Sequence, residues 1–221
     1  MKKLIKIFLL LTFIFTLPLL QQAQNPIPPK KVACVGNSIT YGSGIEDREH
    51  NSYPAILGKL LGEAYYVKNF GVSGRTLLKN GDYPYWKEKA YQDAIDFKPD
   101  IVIIKLGTND SKPQNWKYKE DFEKDYRDLI DSFLNLDSHP KIFICKPVPA
   151  FKVMWGIRDS IIVSDIIPIV EKIGKEKKLE IIDLYSALSG KESLFPDAIH
   201  PNAEGAALMA KEVFNAITKE K

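Results

Sequence analysis

Cysteine and histidine are scarce in this sequence, which holds two cysteines and three histidines among 221 residues. No two of these residues have the spacing of zinc ligands, so a zinc site is not expected. Cys34 and Cys145 both lie in apolar runs typical of strands. Cysteines in buried strands usually behave as small apolar core residues, so we predict two free thiols and no disulfide.

An excess of charge of one sign is also missing once the first residues are set apart. The formal net charge of +3 comes from 31 basic and 28 acidic residues, and residues 1–24 contain three lysines and no acids. The rest of the chain therefore carries 28 charges of each sign. A nucleic-acid-binding protein would need a basic surface, so no nucleic acid partner is expected.

Residues 1–24 have the pattern of a secretory signal peptide. The apolar run 7–20 contains a proline, is shorter than the ~20 residues that a transmembrane helix needs, and is not followed closely by a cysteine for a lipid anchor. We therefore expect cleavage, a secreted or periplasmic protein, and no stable membrane span afterwards. Residues 25–221 are then long enough for one domain. The basic residues that open the segment are Lys2, Lys3 and Lys6.

Short apolar runs alternate with amphipathic segments along the rest of the chain. This alternation predicts a parallel sheet covered by helices on both faces, with right-handed crossovers. For a chain of this length we expect the strand order 2-1-3-4-5. That order places strand three between the two cysteine-bearing strands. Residues 41–51 are expected to form a surface loop. The predicted strands are 31–35, 65–71, 101–106, 141–146 and 179–184, and the predicted helices are 52–62, 86–97, 119–136, 160–177 and 203–217.

Ser38 follows the first strand, in the turn Gly36-Asn37-Ser38. In open α/β sheets ligands bind at the carboxyl ends of the strands, so Ser38 is a candidate nucleophile. The alternative is an ordinary turn serine or helix cap, which is common at such positions. A nucleophilic role requires a base, an orienting acid and an oxyanion site elsewhere in the sequence.

The search for a base is short because only His50, His139 and His200 exist. His139 precedes the fourth strand, at the opposite edge of the sheet, and His50 lies in a charged loop where we expect it to be solvated. His200 has Asp197 three residues before it, a spacing that allows the carboxylate to meet Nδ1 and leaves Nε2 free for a serine. The alternative is a helix-capping aspartate with an incidental histidine.

Two residues after other strands are candidates for the oxyanion site. Asn109 can donate its side-chain N–H to a developing negative oxygen, and Gly74 can offer a backbone N–H at close approach. The N–H of Ser38 itself would be the third donor. Ser73 is not favoured as a nucleophile, because Arg75 stands where a nucleophile elbow requires glycine.

These segments resemble the blocks of the SGNH hydrolase superfamily, which includes the GDSL lipases and esterases. The segments are Gly36-Asn37-Ser38-Ile39-Thr40, Gly74, Gly107-Thr108-Asn109-Asp110 and Asp197-Ala198-Ile199-His200. The resemblance implies a flavodoxin-like three-layer α/β/α fold, no metal and no cofactor. It also implies a catalytic triad of Ser38, Asp197 and His200. Asn37 departs from the family pattern, which usually has aspartate there, and we expect activity to be retained.

The substrate is less defined by the sequence. Several aromatic side chains lie in or near the loops expected at the site, where they could stack on sugar rings or, as an alternative, pack in the core. Met154 and Trp155 could cover a small acyl group. A small-molecule or carbohydrate ester is therefore expected, most simply for an O-acetylesterase; the alternatives are a lysophospholipase or thioesterase, or an inactive sugar-binding module. The other aromatic residues are Tyr83, Tyr85, Trp86 and Trp116.

Overall fold

A computed structural model describes residues 28–219. In this part of the chain five parallel strands form one sheet in the order β2-β1-β3-β4-β5. This confirms the predicted sheet and its order, and the strand ends differ from prediction by one residue at most. The predicted signal segment, 1–24, lies outside the described residues. The strands are β1 (Lys30–Gly36), β2 (Tyr65–Gly71), β3 (Ile101–Lys105), β4 (Lys141–Lys146) and β5 (Glu180–Asp183).

Helices connect the strands and cover both faces of the sheet. None of those within residues 28–219 combines the length and hydropathy needed to cross a membrane. In chain order they are α1 (Ser38–Tyr41), α2 (Arg48–Asn51), α3 (Tyr53–Leu61), α4 (Lys89–Asp96), α5 (Pro113–Trp116), α6 (Lys119–Leu134), α7 (Asp159–Ile161), α8 (Ile167–Lys177), α9 (Leu184–Leu188) and α10 (Ala203–Thr218).

Three predicted segments are interrupted or contain extra structure. The loop predicted at 41–51 contains the single turn α2. The helix predicted at 86–97 is a 3₁₀ turn followed by α4, because Glu88 between them has extended backbone. The helix predicted at 160–177 contains a π-helical turn at Ile162–Ile166. Pro168 follows that turn, lacks an N–H and excludes the carbonyl four residues before it, so regular α-helical bonding cannot continue there.

Alternating side chains of each strand enter two different apolar layers. Val32 and Cys34 point into the layer formed with α3 and α10, whereas Ala33 and Val35 point into the layer formed with α4, α6 and α8. All five residues of β3 are buried. Burial on both faces explains why the strands appear in the sequence as nearly continuous apolar runs.

Both cysteines are buried and free, which confirms the prediction. Cys34 lies on β1 and Cys145 on β4, and β3 pairs with both strands and so separates them. Burial raises the pKa of Cys34 to about 12 and also raises the pKa of Cys145. Both side chains therefore remain neutral thiols within the core.

The chain turns tightly where β1 ends at Gly36. A Cβ atom at this position would lie 2.1 Å from Thr40 Oγ1 and 2.7 Å from the Lys105 carbonyl oxygen. Only glycine leaves room for α1 to fold back over the strand end. This close approach places Ser38, the first residue of α1, directly above the sheet.

Gly36→Ala is expected to lower the free energy of unfolding by about 1–3 kcal/mol, because the methyl group overlaps Thr40 and the β3 backbone. Gly58→Ala is the control: it lies inside α3, where a Cβ would meet Val67 at an ordinary 3.6 Å. There alanine should raise stability by about 0.5–1 kcal/mol. Denaturant unfolding of both variants measures the difference. Equal effects would contradict the tight packing at Gly36.

Candidate active site

Four segments meet at the carboxyl edge of the sheet. Ser38 follows β1, Gly74 follows β2, Asn109 follows β3, and His200 arrives from the loop before α10. All four residues line one open cavity of about 250 Å³. The strand ends of a parallel sheet meet at one edge, which brings together residues that are far apart in the sequence.

Asn37 and α1 position the Ser38 hydroxyl. Asn37 has extended backbone, and its Oδ1 accepts the Ile39 N–H at 3.1 Å, so it caps the start of α1. Gly42 ends that turn in the left-handed region at φ +90°. The Ser38 side chain is left at the cavity wall, where its Oγ lies 2.8 Å from His200 Nε2.

A compact loop holds the histidine ring in one orientation. Asp197 Oδ2 lies 2.7 Å from His200 Nδ1, while Oδ1 accepts the backbone N–H groups of Ile199 and His200 at 2.9 and 2.7 Å. Burial raises the pKa of Asp197, but these hydrogen bonds outweigh it and leave the pKa below its ordinary value. The ionised carboxylate can only accept, so Nδ1 donates and Nε2 faces Ser38 with its lone pair.

Asn109 is buried and starts a 3₁₀ turn in the loop that follows β3. Its Nδ2 donates to the Arg75 carbonyl oxygen at 3.1 Å, and this bond uses one of the two amide hydrogens. Gly74 has φ +82°, in the left-handed region that favours glycine. Both residues line the cavity beside Ser38, so the three predicted oxyanion donors lie around one space.

Asp110 has a role that the sequence did not reveal. It is fully buried and accepts the backbone N–H groups of Leu77 and Leu78 at 3.1 and 2.8 Å. Burial raises the pKa of its carboxyl to about 6. These bonds join the loop after β2 to the loop after β3, and so set Gly74 relative to Asn109. The sequence shows an acidic residue directly after Asn109. Its partners are backbone N–H groups, which no sequence pattern identifies.

The other candidates lie apart from the reacting groups or on the cavity wall. His50 is exposed beside Asp47, as predicted. His139 lies in the turn before β4. Ser73 lines the cavity, and its hydroxyl bonds to that of Ser43 at 2.7 Å. Within residues 28–219 no group of three His, Cys, Asp or Glu side chains is arranged to hold a metal ion.

Of the two roles left open for the five aromatic residues, packing in the core applies to three of them. Their polar atoms have internal partners, so the rings pack inward with no unpaired donor. The Tyr85 hydroxyl donates to the Phe70 carbonyl at 2.7 Å, and the Trp86 and Trp116 indoles donate at 2.8 Å. Tyr83 is exposed and contacts Arg75, and it is not among the cavity-lining residues. Of the five, Trp155 alone lines the cavity.

Trp155 stands at the tip of a tight turn over the histidine. Its φ is +51° and that of Gly156 is +81°, and the Ile157 N–H closes the turn on the Met154 carbonyl at 2.9 Å. Two successive positive φ values are typical of a type I′ turn, in which tryptophan is unusual. The indole is 57% exposed, and its centroid lies 5.5 Å from that of the His200 ring.

The fold and the site define a parallel α/β protein that carries a serine–histidine–aspartate constellation at the carboxyl edge of its sheet. Residues 34–208 match the sequence profile of the GDSL-like Lipase/Acylhydrolase family. The chain belongs to this family, which confirms the resemblance drawn from the four motifs.

Individual relatives agree with this placement. The chain is 46% identical over 206 residues to an acetylxylan esterase of Xylanibacter ruminicola, an alignment that covers 85% of this chain and 43% of that protein. The chain therefore spans less than half the length of this relative. A carbohydrate acetylesterase of Sinorhizobium meliloti and an aryl esterase of M. smegmatis share the fold at 18% identity, each with TM-score 0.69 and coverage of 85% of this chain and 98% of the other.

Trp155→Gly should change the free energy of unfolding by less than about 1 kcal/mol, because relief of the left-handed strain offsets the added chain entropy and lost contacts. Trp116→Gly is the matched control and should cost about 3 kcal/mol or more, since that indole is buried. Thermal unfolding of both variants measures the two changes in the free energy of unfolding. An equal loss at Trp155 would show that the indole supports the fold rather than the cavity.

Proposed function

We propose that this protein is a serine esterase that hydrolyses carboxylic esters at the cavity beside Ser38. The observation that carries the proposal is the continuous chain from Ser38 Oγ through the His200 ring to Asp197, with contacts of 2.8 and 2.7 Å. Membership of an acylhydrolase family supports the same chemistry. In this proposal Ser38 is the nucleophile, His200 the general base and Asp197 the group that orients the imidazole.

The reaction has two halves. His200 Nε2 takes the hydroxyl proton as Ser38 Oγ attacks the ester carbonyl, and the resulting oxyanion is held by the N–H groups of Ser38 and Gly74 and the free amide hydrogen of Asn109. His200 then returns the proton to the leaving alcohol, which leaves an acyl group on Ser38. Water enters, gives a proton to His200 and attacks the acyl carbon. Collapse of that intermediate releases the acid and restores the Ser38 hydroxyl.

We further propose that the natural substrate is an O-acetylated carbohydrate. The cavity is small and open, and its wall combines Trp155 with polar groups of Ser43, Ser73 and Lys112. An acetyl group fits a site of this size, while the exposed indole offers a face for a sugar ring. The related acetylxylan esterase of X. ruminicola supports this substrate class.

A longer acyl chain is the second candidate. Val153 and Met154 are 69% and 38% exposed and directly precede Trp155, which lines the cavity, so these three residues offer an exposed apolar edge that starts at the cavity wall. Such an edge could receive the chain of a lysophospholipid or acyl thioester.

We also propose that residues 25–221 form the exported domain, on the evidence of the signal-like pattern in residues 1–24.

Ser38→Ala should lower kcat/KM for 4-nitrophenyl acetate by about 10⁴-fold or more, because among residues 28–219 the hydroxyl that meets His200 Nε2 is that of Ser38. Ser132→Ala is the control, since its hydroxyl bonds to the Leu129 carbonyl on α6, away from the cavity. It should keep normal activity. Activity that survives in Ser38→Ala would contradict the assigned nucleophile, and an inactive wild-type protein that binds sugars would favour the sugar-binding module.

Acetyl esters should be hydrolysed with a kcat/KM at least about tenfold above that for octanoyl esters, because the cavity is small, about 250 Å³. The measurement compares 4-nitrophenyl acetate with the octanoate, followed by acetate release from acetylated xylan, acetylated pectin and O-acetylated sialic acid. Preference for the octanoate would overturn the acetylesterase proposal and favour the longer-chain alternative. Ser38→Ala serves as the blank for each substrate.

A further inference from the structure

Lys105 is a fully buried lysine directly beneath the candidate active site. It is the last residue of β3 and has no solvent-exposed surface. Its Nζ donates to Thr108 Oγ1 at 3.0 Å and to Asn37 Oδ1 at 3.4 Å. These two partners immediately precede Asn109 and Ser38 in the sequence. One amine therefore touches both turns that carry the proposed nucleophile and oxyanion donor.

No carboxylate pairs with this amine within residues 28–219. The titratable groups around it are the Cys145 thiol on β4 and, next to that thiol, Cys34 on β1 and Tyr53 on α3. Burial raises the pKa of each of these three groups, so none supplies a negative charge near neutral pH. Burial also lowers the pKa of Lys105 to about 7. A buried amine without a counter-ion is costly, which calls for a reason other than stability.

The backbone pairing shows what that reason is. The β1–β3 register ends at Gly36 opposite Lys105. Beyond that pair β1 and β3 lead into the separate turns that carry Ser38 and Asn109, and the backbone hydrogen bonds that pair the two strands do not extend into these turns. The Lys105 side chain spans this gap through Asn37 and Thr108. We propose that Lys105 is a positioning residue that holds the nucleophile turn and the oxyanion turn at a fixed separation; this inference rests on the proposed function.

Asn37 fits this arrangement. Its oxygen serves both the Ile39 N–H and the Lys105 amine, while its Nδ2 has no hydrogen-bond partner among the described residues. A neutral amide can accept from the lysine whether the amine is charged or neutral. An aspartate at position 37 would instead form a buried ion pair and keep the amine protonated. The unusual asparagine is thus matched to a lysine that loses its proton easily.

This pairing has a consequence for stability. The Lys105 pKa is about 7 in the folded protein and 10.5 for an ordinary lysine, so the unfolded chain binds the extra proton between these pH values. Between pH 7 and about 8.5, below the range in which the cysteine thiols of the unfolded chain ionise, the free energy of unfolding should therefore rise with pH in the wild type through Lys105. Asn37→Asp should flatten that rise, because the new carboxylate keeps the amine protonated in both states.

The decisive experiment measures how fast a fluorophosphonate probe labels Ser38, detected by mass spectrometry, together with kcat and KM for 4-nitrophenyl acetate. Lys105→Met keeps the length of the side chain and removes the two hydrogen bonds that the amine donates to Asn37 and Thr108. We expect labelling and kcat to fall roughly 10- to 100-fold, since a displacement of about 1 Å costs that much, with KM changed less than about twofold. Lys146→Met is the matched control, because that lysine ends β4 and pairs with Glu171 and Asp183.

Thr108→Val keeps the test decisive if Lys105→Met does not fold. Valine has the same shape but accepts no hydrogen bond, so labelling should slow in Thr108→Val as well. If both single variants fold, the double variant should be no slower than Lys105→Met, because both changes break one connection. Wild-type labelling rates in both single variants, or in Thr108→Val when Lys105→Met is unfolded, would overturn the positioning role. A wild-type protein whose Ser38 is not labelled would instead refute the proposed function.

Discussion

The pairing of β1 with β3 is the constraint on which the site depends. Five residue pairs join the two strands, from Val32 opposite Ile101 to Gly36 opposite Lys105. Both strands are buried on both faces, so sliding by one residue would exchange the side chains of the two apolar layers. This register brings Ser38 and Asn109 side by side even though about seventy residues separate them in the sequence.

Beyond the last paired residues of the strands, side-chain hydrogen bonds hold the loops of the site in place. Asp110 ties the loops after β2 and β3, Asp197 folds its own loop around two backbone N–H groups, and Asn37 caps α1. Each of these polar groups works at the sheet edge, where backbone ladders have ended and N–H groups would otherwise lack partners. Lys105 belongs to the same group of side chains at the sheet edge. Its buried amine has only neutral partners, whereas backbone N–H groups stabilise the carboxylates of Asp110 and Asp197.

The sequence was informative where structure follows from periodicity or from spacing along the chain. Apolar runs identified the strands, and the three-residue interval from Asp197 to His200 anticipated a contact closed by one turn of backbone. The strand order was assumed from the length of the chain and not from any residue pattern. The sequence was uninformative where long-range packing decides. Tyr85 and Trp116 are core residues because their polar atoms meet partners elsewhere in the fold, and Lys105 looked like one more residue of an apolar run. The left-handed turn at Trp155 has no local signal apart from Gly156.

The separation of Cys34 from Cys145 by a whole strand has a consequence for how the protein reaches its folded state. Two thiols on non-adjacent strands cannot approach within bonding distance unless the sheet opens. Oxidation can therefore capture only unfolded or partly folded chains, and it would trap them away from the native sheet. Folding of residues 28–219 therefore needs no disulfide and is served best by rapid closure of the sheet over both thiols.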